Sequence, residues 1–309
     1  MRNLEQALKE GLWRANGWLK LPITIRRWYG RLGNNIQQIA LALLYAERHR
    51  CHLITPEHPL VAPVTHGQVK PWHRNVRLKN RFFYFKSGSS STPDVDLDYH
   101  HVCDTIHNTA LKHITPQLKL QIGDPFDDDV LVIHLRGGDI FRAASHPGYV
   151  QNPLSFYDSL IQNFNKTILV CEAENTNPIA AILASRPSVS IQSSSIEADF
   201  ATLLRARNLA ISGVGTFAMA AALCSPHLKA LYCSDRYMTE HLNPEMIRQA
   251  DVFCMALGDQ YPQVGQWSGD SIAQSLMLSY QIQSPIFQCV HRAGEVPSAP
   301  AMRLMPHST

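Results

Sequence analysis

The residues best suited to chemistry sit at the end of an apolar run. Residues 130–141 read V-L-V-I-H-L-R-G-G-D-I-F, which places Arg136 three residues before Asp139 with two glycines between them. Glycines adopt backbone conformations that other residues avoid and let a ligand approach the main chain. A guanidinium at such a turn suits an anion, because its planar donors match phosphate or carboxylate oxygens. The same residues also describe a surface Arg–Asp pair on a plain glycine turn, and the stretch alone leaves both readings open.

Two further glycine stretches bear on the choice. Ser212-Gly213-Val214-Gly215-Thr216-Phe217 precedes an Ala-rich helical pattern. It offers backbone N–H groups, the Thr216 hydroxyl and the positive end of a helix dipole. A diphosphate is the natural ligand to join it to Arg136. Gly30-Arg31-Leu32-Gly33-Asn34-Asn35 opens a helical pattern over 36–48, in which Ile36, Ile39, Ala40, Leu43 and Leu44 share one face. Its spacing fits neither the dinucleotide fingerprint nor the P-loop. An anion-facing loop and a helix start capped by Asn34 or Asn35 both remain open there.

These turns need strands behind them. Residues 130–135, apolar but for His134, read as a strand buried on both faces, as in a parallel sheet. Helices are expected over 153–164, 178–185, 196–207 and 216–223, alternating with strands at 167–171, 188–192, 209–212 and 229–233. That alternation implies βαβ units and a parallel sheet, so the later two turns share the carboxyl edge where ligands bind in open α/β sheets. Past Asp235 a helix is expected over 245–257, and 285–309 is proline-bearing and expected to wrap or fray. In the first half, 52–54 and 82–86 read as short strands and 86–93 as a Ser/Gly loop.

The chain has 309 residues, 45% hydrophobic and 17% charged, which suits one large domain or two modest ones. A net charge of +3 without a dense block of Lys or Arg argues against a nucleic-acid partner. Seven widely spaced cysteines without a C-x-x-C read as reduced thiols of a cytoplasmic protein. No apolar run in the first thirty residues is long enough to span a bilayer. Leu4, Leu8, Leu12, Trp13, Trp18 and Leu19, with Lys9, Arg14 and Lys20, make an amphipathic segment suited to packing on the protein's own body or to peripheral membrane contact. Asp94, Asp96, Asp98, His100, His101, Cys103, His107 and His113 are concentrated in one stretch but match no zinc spacing, and Asp94-Val95-Asp96 is a bare D-x-D.

Taken together, His134-Leu135-Arg136-Gly137-Gly138-Asp139 resembles the H-x-R-x-x-D peptide of the fucosyltransferase superfamily, which includes alpha-1,2-, alpha-1,6- and protein O-fucosyltransferases. Gly30 to Asn35 is similar to that family's G-x-x-G-N loop, and Ser212 to Phe217 to its S-x-G-T-F segment. The resemblance implies an α/β, GT-B-like fold of two Rossmann-like lobes, with the donor site in the C-terminal lobe. It implies transfer of fucose from GDP-fucose to a glycan hydroxyl with inversion, in polysaccharide biosynthesis, with no metal or other cofactor. The partners expected are a nucleotide-sugar donor and a glycan acceptor.

By the same resemblance Arg136 binds the donor β-phosphate and His134 shapes that pocket. Gly215, Thr216 and Phe217 hold the phosphates, Asp199 contacts the guanosine, and Gly33, Asn34 and Asn35 line the cleft. Asp139 is either the base for the incoming hydroxyl or a buttress for Arg136. Many members carry a second Arg where this chain has Gly137, which leaves subgroup, acceptor and linkage open. A transferase using another nucleotide sugar and a non-catalytic nucleotide-sugar or glycan-binding module are the rival expectations. The segments expected are 1–28, amphipathic; 29–125, acceptor-side lobe; 126–257, nucleotide-sugar lobe; and 258–309, tail.

Overall fold

The computed structural model describes residues 22–68, 78–80, 82, 99–141, 148–172, 177–283 and 285–293. The expected amphipathic residues 4–20, the strand residues 83–86, the Ser/Gly loop and Asp94, Asp96 and Asp98 lie outside them.

The first lobe comprises β1 (Ile23–Ile25), α1 (Leu32–Arg48), β2 (Leu53–Ile54), β3 (Thr65–His66), β4 (Leu78–Asn80) and α2 (Tyr99–Thr109). Its sheet runs β3-β2-β1-β4, with β1 parallel to β2 and β4, and β3 antiparallel to β2. The central strand therefore falls inside the stretch expected to be a peripheral segment. A three-residue strand carries too short a pattern to stand out from the apolar residues before it.

The second lobe comprises β5 (Val130–Leu135), α3 (Leu154–Ile161), β6 (Lys166–Cys171), α4 (Pro178–Ala184), β7 (Val189–Gln192), α5 (Ile196–Leu204), β8 (Asn208–Ala210), α6 (Thr216–Cys224), β9 (Ala230–Ser234), β10 (Asp251–Met255), α7 (Ser271–Ser279) and β11 (Gln288–His291). Its sheet runs β11-β10-β9-β8-β5-β6-β7, parallel throughout except for β11 against β10. Two α/β lobes on mostly parallel sheets, facing one another, are the arrangement that the GT-B expectation describes.

The helix expected over 245–257 is not formed. Pro244–Met246 makes one 3-10 turn, and Asp251–Met255 is a strand paired in register with β9. Valine and phenylalanine at its centre favour a pleated surface, and pairing decides the matter over local pattern. Nor are residues 258–293 a tail: α7 and β11 belong to this lobe, and Trp267, Ala273 and Met277 are buried in its core.

Strand β5 is buried on both faces along its whole length. Leu131, Ile133 and Leu135 face a core packed by α3, α4 and α7, while Val130 and Val132 face the core that holds α6 and α1. His134 shares the second face, because side chains alternate along a strand. The second core does not stop at the lobe boundary. Ile36, Ile39 and Leu43 of α1 and Ala218, Ala221 and Ala222 of α6 belong to one buried cluster.

That continuity needs a close crossing of the two helices. The alanines of α6 keep its surface low, and interaxial distance is set by the side chains at the contact. At the crossing itself stands Gly33, where a Cβ would lie 2.5 Å from the Thr216 carbonyl carbon and 2.6 Å from Phe217 N. Backbone cannot yield as a flexible side chain does. Gly33→Ala is therefore expected to destabilise the fold by about 2 kcal/mol, in the range of overpacking substitutions. Urea unfolding checks this, and an unchanged midpoint would contradict the close crossing.

Candidate active site

Between the lobes lies a cleft of about 530 Å³ that gathers all three glycine stretches. It is lined by Gly30, Gly33 and Asn34 from the first lobe and by His134, Arg136, Asp139, Asp199, Gly215, Thr216 and Phe217 from the second. Asn35 is the exception. It is buried in the first lobe, where Nδ2 donates to the Tyr29 carbonyl at 3.0 Å and Oδ1 lies 3.1 Å from His58 Nε2. Neither asparagine caps α1, which begins four residues earlier than its apolar periodicity indicates and has Arg31 at the N-cap.

Arg136 leaves the carboxyl end of β5 and is held on one side. Nη2 donates to Asp139 at 3.1 and 3.3 Å and to the Tyr149 hydroxyl, and the guanidinium carbon lies 4.0 Å from the Tyr149 ring centroid. Asn177 Nδ2 donates to the Arg136 carbonyl at 2.8 Å, which fixes the turn. Nη1 points toward Gly215, where a Cβ would stand 3.6 Å away. One edge of the guanidinium is thus tethered and the other lies beside the start of α6. Asp139 stands on the tethered side, in contact with Arg136.

The two helices that cross beside the cleft start without side-chain caps. Neither α1 nor α6 has a side-chain cap or an acidic residue in its first turn. Asn177 caps α4, Ser195 caps α5 and Asp270 caps α7, whereas α3, away from the crossing, is likewise uncapped. Uncapped N–H groups and two dipole ends of the same sign leave positive potential at the crossing. Thr216 contributes differently from expectation. Its hydroxyl donates to Asn34 Oδ1 at 2.7 Å, and a hydroxyl has one proton, so what it leaves for an acceptor-only phosphate is backbone N–H.

His134 is buried beneath this arrangement, 3.3 Å from Ser212 Oγ and with its ring 5.5 Å from that of Phe217. Asp199, on α5, is also buried and accepts from Ser194 N at 3.2 and 3.4 Å and from Gln192 Nε2 at 3.4 Å. Its burial pushes the carboxyl upward, against those bonds.

Three residues in or at the cleft escaped sequence reasoning as site residues. Tyr149 gives no signal, being one aromatic in a Pro-Gly loop. Glu172 stands just past the end of β6, the place where an acidic residue meets a ligand in many parallel sheets. Arg31 was visible within its glycine loop but had no assigned task. It spans the lobes, with Nη1 2.6 Å from Glu172 Oε1. Further interlobe bonds join Gln37 to His241 and to Leu242 N, each at 3.0 Å, and Asn243 to Tyr99 at 2.9 Å.

Fold and site together define a two-lobed α/β protein with a cleft, lined by both charged and apolar side chains, at the carboxyl edge of its larger sheet. No protein-family model and no curated protein matches the sequence. Two solved structures are similar to it. The crystal structure of POFUT1 in complex with GDP is 12% identical with a TM-score of 0.34, over 68% of this chain and 97% of that one. The glycosyl transferase family 9 protein from Veillonella parvula DSM 2008 is 10% identical with a TM-score of 0.36, over 80% of this chain and 93% of that one. At TM-scores below 0.5 neither likeness bears on chemistry. Among the described residues no helix is long and apolar enough to cross a membrane, and no three His, Cys, Asp or Glu side chains are grouped as a metal site.

The buried imidazole makes a pH prediction. Desolvation, then the Arg136 charge, pull His134 down to about 3, whereas an unfolded His titrates near 6.5. Between those values the unfolded chain binds more protons, so this group's contribution makes stability fall as pH drops below about 6.5. From pH 7 to pH 5 the wild type is expected to lose roughly 2 kcal/mol more than a His134→Gln variant. Urea melts at the two pH values measure the difference. Equal losses would show that His134 does not titrate in this way.

Proposed function

We propose that the chain is an inverting, metal-independent glycosyltransferase that moves fucose from GDP-fucose to a glycan hydroxyl. The observation that carries the reading is the convergence of Arg136 with the uncapped N-termini of α1 and α6 in one cleft. Those groups suit a diphosphate, since guanidinium and helix N–H donors both recognise phosphate oxygens. The guanosine and fucose assignments rest on the three motifs that resemble the fucosyltransferase superfamily.

The barrier in such a reaction is departure of the nucleoside diphosphate while positive charge develops on the sugar ring. Donors already aimed at the leaving phosphate stabilise that separation without reorganising during the step. Asp139 and Tyr149 serve this by fixing one edge of the Arg136 guanidinium, so that the other stays directed at Gly215. His134, neutral and buried, supports the floor of the pocket without adding charge to it. Asp199 fits the guanine edge. A buried carboxylate that accepts from only two donor groups has lone pairs left to accept paired N–H donors, which guanine offers and adenine does not. The acceptor-side lobe, taken as 29–125, supplies the opposite wall, and no metal takes part in phosphate binding in this reading.

Calorimetry with GDP, UDP, ADP and their fucose or hexose conjugates tests the proposal. GDP is expected to bind best, Arg136→Ala to weaken it by about 10- to 100-fold, as loss of a charged hydrogen-bonding group does, and to abolish turnover. Asp199→Asn is expected to narrow the preference for GDP over ADP. Activity is expected to survive EDTA. Failure of the wild type to bind GDP overturns the donor assignment. GDP binding with neither transfer nor hydrolysis identifies a binding module instead.

A further inference from the structure

The Arg31–Glu172 pair is the cleft's unexplained feature. Each partner lines the cleft, and the two come from opposite lobes. Glu172 sits against the turn that follows β5. It follows β6 directly, and its Oε2 occupies the space over Gly138, where a Cβ would lie 2.7 Å away and where φ is +64°. A larger residue at 138 would collide with the carboxylate as well as strain the turn. Arg31 is held loosely by comparison. Its side chain is 72% exposed and that of Glu172 is 35% exposed, and exposed ion pairs contribute little to stability.

Charge balance gives the pair a task. The carboxylates of Asp139, Glu172 and Asp199 face the guanidinium groups of Arg31 and Arg136 in the cleft lining. Arg136 is already in contact with Asp139, so a nucleoside diphosphate brings more negative charge than Arg136 offsets. Arg31 is the other guanidinium of that lining, on a long stem beside the uncapped end of α1. Of the three carboxylates, Asp139 is bound to Arg136 and Tyr149 and Asp199 to Ser194 and Gln192, whereas Glu172 is paired with a group that an anion can draw away.

We propose that donor binding splits this pair: the diphosphate takes Arg31, and Glu172, left beside the Arg136 turn, becomes the acceptor of the incoming hydroxyl's proton. The proposal rests on the glycosyltransferase reading above. As the hydroxyl oxygen bonds to the anomeric carbon, the bond from that carbon to the β-phosphate oxygen breaks. The electron pair leaves with GDP and the hydroxyl proton passes to the Glu172 carboxylate. With no glycan present water takes the hydroxyl's place, so hydrolysis of GDP-fucose reads the same step. Exchange of partners makes the base available only once the leaving group is in position.

The test compares wild type, Arg31→Gln, Glu172→Gln and Glu172→Asp by GDP calorimetry, by GDP release from GDP-fucose and by thermal melting. Arg31→Gln is expected to weaken GDP binding about tenfold, as loss of a charge-assisted bond does. Glu172→Gln is expected to tighten GDP binding about two- to fivefold, because Arg31 no longer has a competing partner. It is also expected to slow hydrolysis by about 100-fold, as removal of a general base does, with Glu172→Asp recovering part of the rate. Weaker GDP binding by Glu172→Gln overturns the exchange, as does unchanged affinity in Arg31→Gln. Undiminished hydrolysis in Glu172→Gln, or a wild type that binds GDP and hydrolyses nothing, overturns the proton-accepting role. If Glu172→Gln does not fold, the affinity of Arg31→Gln and the rate of Glu172→Asp still decide. A wild type that fails to bind GDP refutes the donor assignment instead, so the two failures are distinct.

Discussion

The approach of α1 to α6 at Gly33 is the constraint on which the cleft depends. A helix from one lobe rests on the backbone of a helix from the other, with no side chain at the point of contact. Four alanines in α6 extend the close approach along the interface, and the apolar residues of both helices form one core. Three consequences follow from that single contact. The two helix N-termini are brought side by side, the Asn34–Thr216 bond can form, and the turn after β5 is set opposite the loop before α1. A cleft braced by a shared core is preorganised, and preorganisation is what makes fixed donors effective at a developing charge.

Within that frame the polar groups divide by how firmly they are held. Arg136 is fixed by a carboxylate, a phenol ring and a backbone anchor, and Asp199 and His134 are buried. Arg31 and Glu172 are the exposed pair, joined across the gap. Fixed groups suit a charge that must always be met in the same place. An exposed pair suits a task that changes when a ligand arrives, because replacing one exposed partner with another involves little loss of burial.

How much of this could be read from the chain follows from the length of each signal. Val130–Leu135 is six residues of uninterrupted burial, and the alternation after it is regular enough to yield β6 through β9 and the helices between them. The glycine turns stood out because Gly is the residue that such turns require. The β10 strand was hidden, since D-V-F-C-M carries no alternation and is a strand by virtue of its neighbour β9. β11 and α7 were hidden by the prolines and polar residues around them. In the cleft, residues inside motifs were found, with two revisions: Asn35 turns into its own lobe, and the Thr216 hydroxyl is committed to Asn34. Tyr149 lies 13 positions from Arg136 and Glu172 lies 141 from Arg31, and each meets its partner only through the fold, so no local pattern marks them.

The Gly33 crossing also bears on how a protein of this shape can diversify. Lobes joined by a linker and a shallow interface can be recombined as units, each keeping its own ligand. Here the first-lobe helix α1 finishes its burial on α6, which belongs to the other lobe, so a transplanted first lobe would arrive with a bare apolar face and the wrong counter-surface. Exchange of a whole lobe would therefore have to bring a matching counter-surface with it. A change in the loops around the cleft leaves the crossing untouched, whereas a side chain added at Gly33 needs a compensating shift in α6.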